Sequence, residues 1–149
     1  MAGLVGIYNL KLVQVSIGAF RVTGWGDDDA CAITPMADLQ DSQVSADGSH
    51  VAYSKISDNR YEVKLTVRRT SLAFKRLGEL MQEQMDDRDA GTVNHLAFQL
   101  YDPVTGDKVV ERSAQFMRAP DLTNGVKAGT AEFKLQLPSP DITYGANIT

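Results

Sequence analysis

Tyr61 to Arg69 constrains the fold more than any other stretch of the chain. Tyr61, Val63, Leu65 and Val67 alternate with Glu62, Lys64, Thr66 and Arg68. A period of two is that of a β-strand, with one face toward a core and the other toward water or a partner. The period then changes. After Thr70 and Ser71, both good N-cap residues, the residues Ala73, Leu77, Leu80, Met81, Gln84 and Met85 follow helical spacing. The spacing predicts a helix from about Leu72 to Met85. Gly78 inside it costs about 1 kcal/mol relative to alanine. Asp86, Asp87 and Asp89 oppose the helix dipole at the far end, so fraying is expected there.

The rest of the chain reads as β. Strand signals run over Leu10–Ile17, Phe20–Val22 and Ala30–Thr34. Asp47-Gly48 is a hairpin signal, because both residues tolerate positive φ. Its flanks, Asp41–Ala46 and Ser49–Ser57, read as strands. Val93–Tyr101, Lys108–Met117 (with mixed faces) and Ala131–Leu137 complete the set. Pro138 and Pro140 end the order, and a short tail over 138–149 has little to pack. The expectation is a mainly β fold: a single domain over 1–149, a β-sandwich or barrel of about seven strands with one flanking α-helix.

Composition narrows the function. The chain has 149 residues, 43% of them hydrophobic, and one cysteine. A domain of that length needs no disulfide or metal to fold. The net charge of −4 argues against a protein that reads nucleic-acid sequence. No stretch approaches the roughly 20 apolar residues of a membrane span. A basic n-region with a long apolar run is also missing from Met1–Leu10, so a soluble protein without Sec export and without a membrane partner is expected.

No catalytic set emerges. His50 and His95 lie in no metalloprotease pattern, and no phosphate loop or nucleophile elbow occurs. A cysteine-rich zinc site is impossible with Cys31 alone, and Cys31 between alanines reads as a small inert apolar residue. Asp27-Asp28-Asp29 is the best metal candidate, but the acids are consecutive where a calcium loop alternates its ligands. It reads as a solvated turn or interface loop. Trp25 between two glycines reads equally as a partner anchor or a core residue. The expectation is a non-enzyme with no cofactor and no metal.

The order of features resembles the tail tube proteins of contractile-tailed bacteriophages, which are related to type VI secretion tube proteins. An early strand, Leu12–Ile17, leads to a glycine-rich turn, Gly24-Trp25-Gly26-Asp27-Asp28, and a short strand, Ala30–Thr34. An acidic, serine-containing stretch ends in a glycine turn, Asp41-Ser42-Gln43-Val44-Ser45-Ala46-Asp47-Gly48. The alternating strand and the Ser/Thr-capped helix follow. The resemblance is strongest over Leu10–Leu80.

That resemblance implies a structural virion protein whose hexameric rings stack into a tube. Sheets of neighbouring subunits line a lumen through which phage DNA passes during ejection, without specific binding. Tail sheath and baseplate proteins are the implied partners. The implied location is the phage tail, assembled in the host bacterial cytoplasm. The polar loop Ala37–Lys55 is the expected ring-stacking element, with Asp38, Asp41, Ser42, Gln43, Asp47, Gly48, Ser49 and His50 as its contact residues. Trp25, Asp27, Asp28 and Asp29 form a second expected interface. The alternative reading is a non-catalytic ligand- or carbohydrate-binding β-sandwich that uses Trp25 and the aspartate run.

Overall fold

The computed structural model describes residues 10–25 and 30–145. Asp27, Asp28 and Asp29 lie outside the described residues. The described elements are a 3-10 turn at Leu10–Leu12, strands β1 (Gln14–Ile17), β2 (Phe20–Arg21), β3 (Cys31–Pro35), β4 (Gln40–Val44), β5 (Val51–Lys55) and β6 (Tyr61–Arg68), helix α1 (Leu72–Asp89), and strands β7 (Leu96–Tyr101), β8 (Lys108–Arg118), β9 (Thr130–Leu137) and β10 (Asp141–Thr143).

Seven strands form one antiparallel path in the order β2-β1-β7-β8-β9-β6-β3. With the strands outside this path the described residues hold ten, more than the about seven expected. The end strands β2 and β3 do not pair, so the fold is an open two-sheet arrangement and not a closed barrel. The hairpin β4–β5 and strand β10 are additional to the path. β10 pairs with the first half of β8, and Ile142 packs against the core. The expected idle tail is therefore part of the sheet over these residues. β9 ends at Leu137, before the prolines, as expected, but pairing resumes at Asp141.

Strand β6 behaves as its alternation requires. Val63, Leu65 and Val67 are fully buried and meet Phe133, Leu135 and Leu137 of β9 in the core. On the outer face Lys64 stands directly opposite Lys134, a destabilising pairing on its own. Glu132 lies 2.8 Å from Lys64, and Glu62 lies 3.8 Å from Lys134, so the diagonals offset the repulsion.

Strand β8 explains its mixed faces. Phe98 pairs with Glu111, yet Leu96 pairs with Ala114, which leaves one extra residue in β8. That is a β-bulge, and it shifts the inward phase from Val109 and Glu111 to Ala114 and Phe116. The Glu111 carboxylate accepts the freed backbone N–H groups of Arg112 (3.0 Å) and Ser113 (3.1 Å). Its second oxygen accepts the N–H of Ser139 (3.0 Å), between the two prolines.

The helix lies over the core through Ala73, Leu77, Leu80 and Gln84. The Ser71 hydroxyl caps it by accepting from the N–H of Phe74. The helix is longer than its spacing predicted and runs on past Met85 to Asp89. Asp87 accepts at its carboxylate from the Asn94 side chain (2.9 Å) and at its carbonyl from Thr92 N–H (2.7 Å), which holds the last turn. At the other end Gly24, at φ +73°, lets the chain pass the helix cap: a Cβ there would stand 2.6 Å from the Cβ of Ser71.

Gln84 is the one polar side chain the helix buries, at 2% exposure. Its Nε2 donates to the carbonyls of Asn94 (3.1 Å) and Ala114 (3.0 Å), and its Oε1 accepts from Phe116 N–H (2.7 Å). Two carbonyls on one atom and an N–H on the other leave no freedom for the amide to be flipped.

Candidate assembly interface

The hairpin β4–β5 stands apart from the core. Its five residue pairs run from Gln40–Lys55 to Val44–Val51, and it pairs with no other strand. Every residue of both strands is exposed. An isolated two-stranded ribbon is marginal in water, so its order depends on its turn and base.

The turn is built around Asp47. Its Oδ1 accepts from Ser45 Oγ (2.7 Å), Ser49 Oγ (2.6 Å) and Ser49 N–H (3.0 Å). Gly48 supplies the positive φ of +73°. Ser45 N–H donates to the carbonyl of His50, and His50 N–H donates to Ser45 Oγ. These hydrogen bonds favour the ionised carboxylate and hold Asp47 far below the usual range, first through Ser49. At the base, Asp58 accepts from the Arg60 Nε (2.9 Å), Nη2 (2.8 Å) and backbone N–H (3.1 Å). The Arg60 guanidinium lowers Asp58 to about 2.

A pH prediction follows from these two groups. Both carboxylates are depressed below the ordinary value of about 4. Their contribution to hairpin order is therefore complete above about pH 4 and is lost only as pH falls through their lower folded values. The amide resonances of Ser49 and Arg60 should titrate with midpoints below about pH 3. Midpoints near 4 would mean that these bonds are not kept in solution.

The structure places Asp38 at the exposed base of the hairpin, Asp41, Ser42 and Gln43 along β4, and Asp47, Gly48, Ser49 and His50 at the turn. It brings Asp47 and Ser49 into one network, with Ser45 as the third member. Asp38, Asp41, Ser42 and Gln43 do not join that network. Three residues escaped the polar-loop reading. Directly paired residues share a face, so Val44, Val51 and Tyr53 lie together on one side of the ribbon, with exposures of 64%, 43% and 70%. The i, i+2 spacing of Val51 and Tyr53 was the available signal.

Trp25 is separate from the hairpin. It is partly buried against the core and forms a lone bridge with Val67. Cys31 is half-buried by area, but the protein packed around it pushes its thiol up to about 12. Among the described residues no group of three or more His, Cys, Asp or Glu is placed to hold a metal ion. No helix among them is long and apolar enough to cross a membrane.

A second surface lies beside α1. An open groove of about 660 Å³ runs between the helix and the segment at Ala119–Leu122. Phe74, Met81, Pro120, Leu122 and Phe133 supply its apolar lining, and Lys75, Glu79, Glu83 and Asp86 lie along its helix side. Arg69 anchors the far wall, donating to the carbonyl of Thr123 and to Asn124 Oδ1, while its guanidinium sits 5.8 Å over the Phe74 ring.

The fold is similar to that of chains found in contractile tube assemblies. One similar chain is in the cryo-EM structure of the anti-feeding prophage cap, a tube terminating cap (TM-score 0.63, 8% identity, 97% of this chain and 96% of that chain). Another is in the sheath–tube complex of PVC, an extracellular contractile injection system, in the extended state (TM-score 0.59, 9% identity, 91% of this chain and 90% of that chain). A third is in the PVC sheath/tube terminator in the extended state (TM-score 0.61, 9% identity, 92% and 96%). No curated protein sequence matches the chain significantly. The family of the bacteriophage PhiTE tail tube protein matches residues 12–145, and the chain belongs to that family. Its family is one of bacteriophage tail tube proteins.

Proposed function

We propose that this chain forms hexameric rings, that the rings stack through the β4–β5 hairpin into the tail tube, and that phage DNA leaves through the lumen. The observation that carries the reading is the hairpin itself. It is fully exposed, pre-formed by Asp47 and Asp58, and carries apolar residues on one side in a chain of the tail tube family. A surface of that kind is expected on a subunit that meets another copy.

The ring contact is assigned to the free sheet edges. Among the described residues β2 and β3 each pair on one side only, and unpaired edges are templates for a neighbouring strand. A head-to-tail edge contact is heterologous and closes into a ring when its rotation permits. The sheath surrounds such a tube and the baseplate receives its end, as the sheath–tube complex of PVC supports for the first of these. The net charge of −4 suits DNA transit, because carboxylates do not hold phosphate. Phage assembly in the host cytoplasm accompanies this reading.

Mass measurement of the smallest closed species tests the ring order. Native mass spectrometry of the hairpin-deleted protein, which cannot stack, should give a six-copy particle. A stable particle of any other order would overturn the hexamer.

A further inference from the structure

The hairpin and the groove beside α1 are both apolar surfaces without a partner among the described residues, and they lie at different places along the same strand. The hairpin returns to the sheet at Tyr61, the first residue of β6. The groove opens beside the middle of the strand, where Phe133 in its floor stands opposite Leu65 and Ala119 follows Arg118, the partner of Lys134. α1 leaves β6 after Arg68, and the far wall of the groove enters β9 at Thr130, which pairs with Arg68. Two different, complementary patches on one subunit are what a heterologous filament contact requires.

The chemistry of the two surfaces matches. On the hairpin, the face with Val44, Val51 and Tyr53 has Lys55 as its one charged residue, because the carboxylate of Asp41 falls on the opposite face. The groove has an apolar floor, including Phe74, Leu122 and Phe133, and a helix side on which the acids Glu79, Glu83 and Asp86 outnumber the one cation, Lys75. Leu122 is 68% exposed there. Gly78 opens the groove further: a Cβ added at that position meets nothing within 4 Å. A helix interior ordinarily disfavours glycine, and here its effect is to leave room beside the helix.

We propose that the Val44–Val51–Tyr53 face of one copy's hairpin seats in the α1 groove of a second copy in the adjoining ring. The inference rests on the stacking role of the hairpin and adds the surface that receives it. The apolar side chains fill the space over Gly78, and Lys55 meets the acidic side of the helix.

Cysteine pairing tests the contact in the full chain. In a Cys31→Ala background, Gly78→Cys is combined in turn with Val44→Cys, Val51→Cys and Tyr53→Cys, and assembled tubes are oxidised. At least one pair should give a ladder of disulfide-linked species beyond the dimer, since each copy donates one cysteine and receives one. Tubes that form normally but yield no ladder with any of the three pairs would overturn the inference while leaving hairpin stacking intact. Absence of tubes from the wild-type chain would overturn the stacking reading and this contact with it. In a second arm, Gly78→Trp should lower tube yield more than tenfold while Gly78→Ala assembles normally. Equal tube yield from both variants, with unchanged thermal melting of the subunit, would also overturn the contact.

Discussion

Gln84→Ala should lower the stability of the subunit by about 3–5 kcal/mol, because it orphans buried backbone groups and leaves a cavity. The Ala114 carbonyl and the Phe116 N–H take their bonds from this one side chain. Neither can turn to water, since Ala114 and Phe116 are buried. Each unsatisfied group costs about 1–3 kcal/mol. For a chain of this size that loss corresponds to a fall of roughly 10 °C or more in the melting temperature. Gln84→Met separates the causes. It restores the length of the side chain without its donors and acceptor, so it should recover little of the loss. A Met variant as stable as wild type would assign the effect to packing alone.

The second large effect is on assembly. Deleting Asp41–Ser49 should abolish tubes while rings persist. The deleted residues contribute nothing to the core, since all of them are exposed and the ribbon pairs only with itself. Subunit stability should therefore change by no more than about 1 kcal/mol. The circular dichroism spectrum should keep its β-rich character. Tube content by sedimentation should fall at least tenfold. Normal tubes from the deleted chain would remove the hairpin from the stacking interface.

What could be read from the chain follows the range of each signal. β6 was legible because its alternation is local: each residue's face depends on its neighbour two positions away. The N-cap at Ser71 and the turn at Asp47-Gly48 are likewise local in origin, and both stand where expected. β8 gave mixed faces because a bulge shifts its phase, and that bulge is held by Glu111 and by pairing to β7, strands apart in sequence. β10 was missed because two prolines end most strands, whereas here the Ser139 N–H between them finds the Glu111 carboxylate.

The candidate interface divides the same way. The acidic and serine residues of the hairpin were found from polarity, and Ser45, Asp47 and Ser49 among them form one network at the turn. Val44, Val51 and Tyr53 were passed over because apolar residues in a polar loop carry no meaning until cross-strand register places them on one face. The groove beside α1 had no sequence signal at all. It exists because Ala119–Leu122 approaches the helix across the sheet, a contact between residues more than thirty positions apart. Gln84 was read as part of the helix's inward stripe, and it is inward, but its role depends on an interrupted ladder in β8.

The central claim is that this chain polymerises into a tube. Negative-stain electron microscopy of the purified full-length protein at high concentration tests it most directly. The account predicts stacked rings or hollow tubes of uniform diameter. A strictly monomeric protein with no ordered polymer would contradict it.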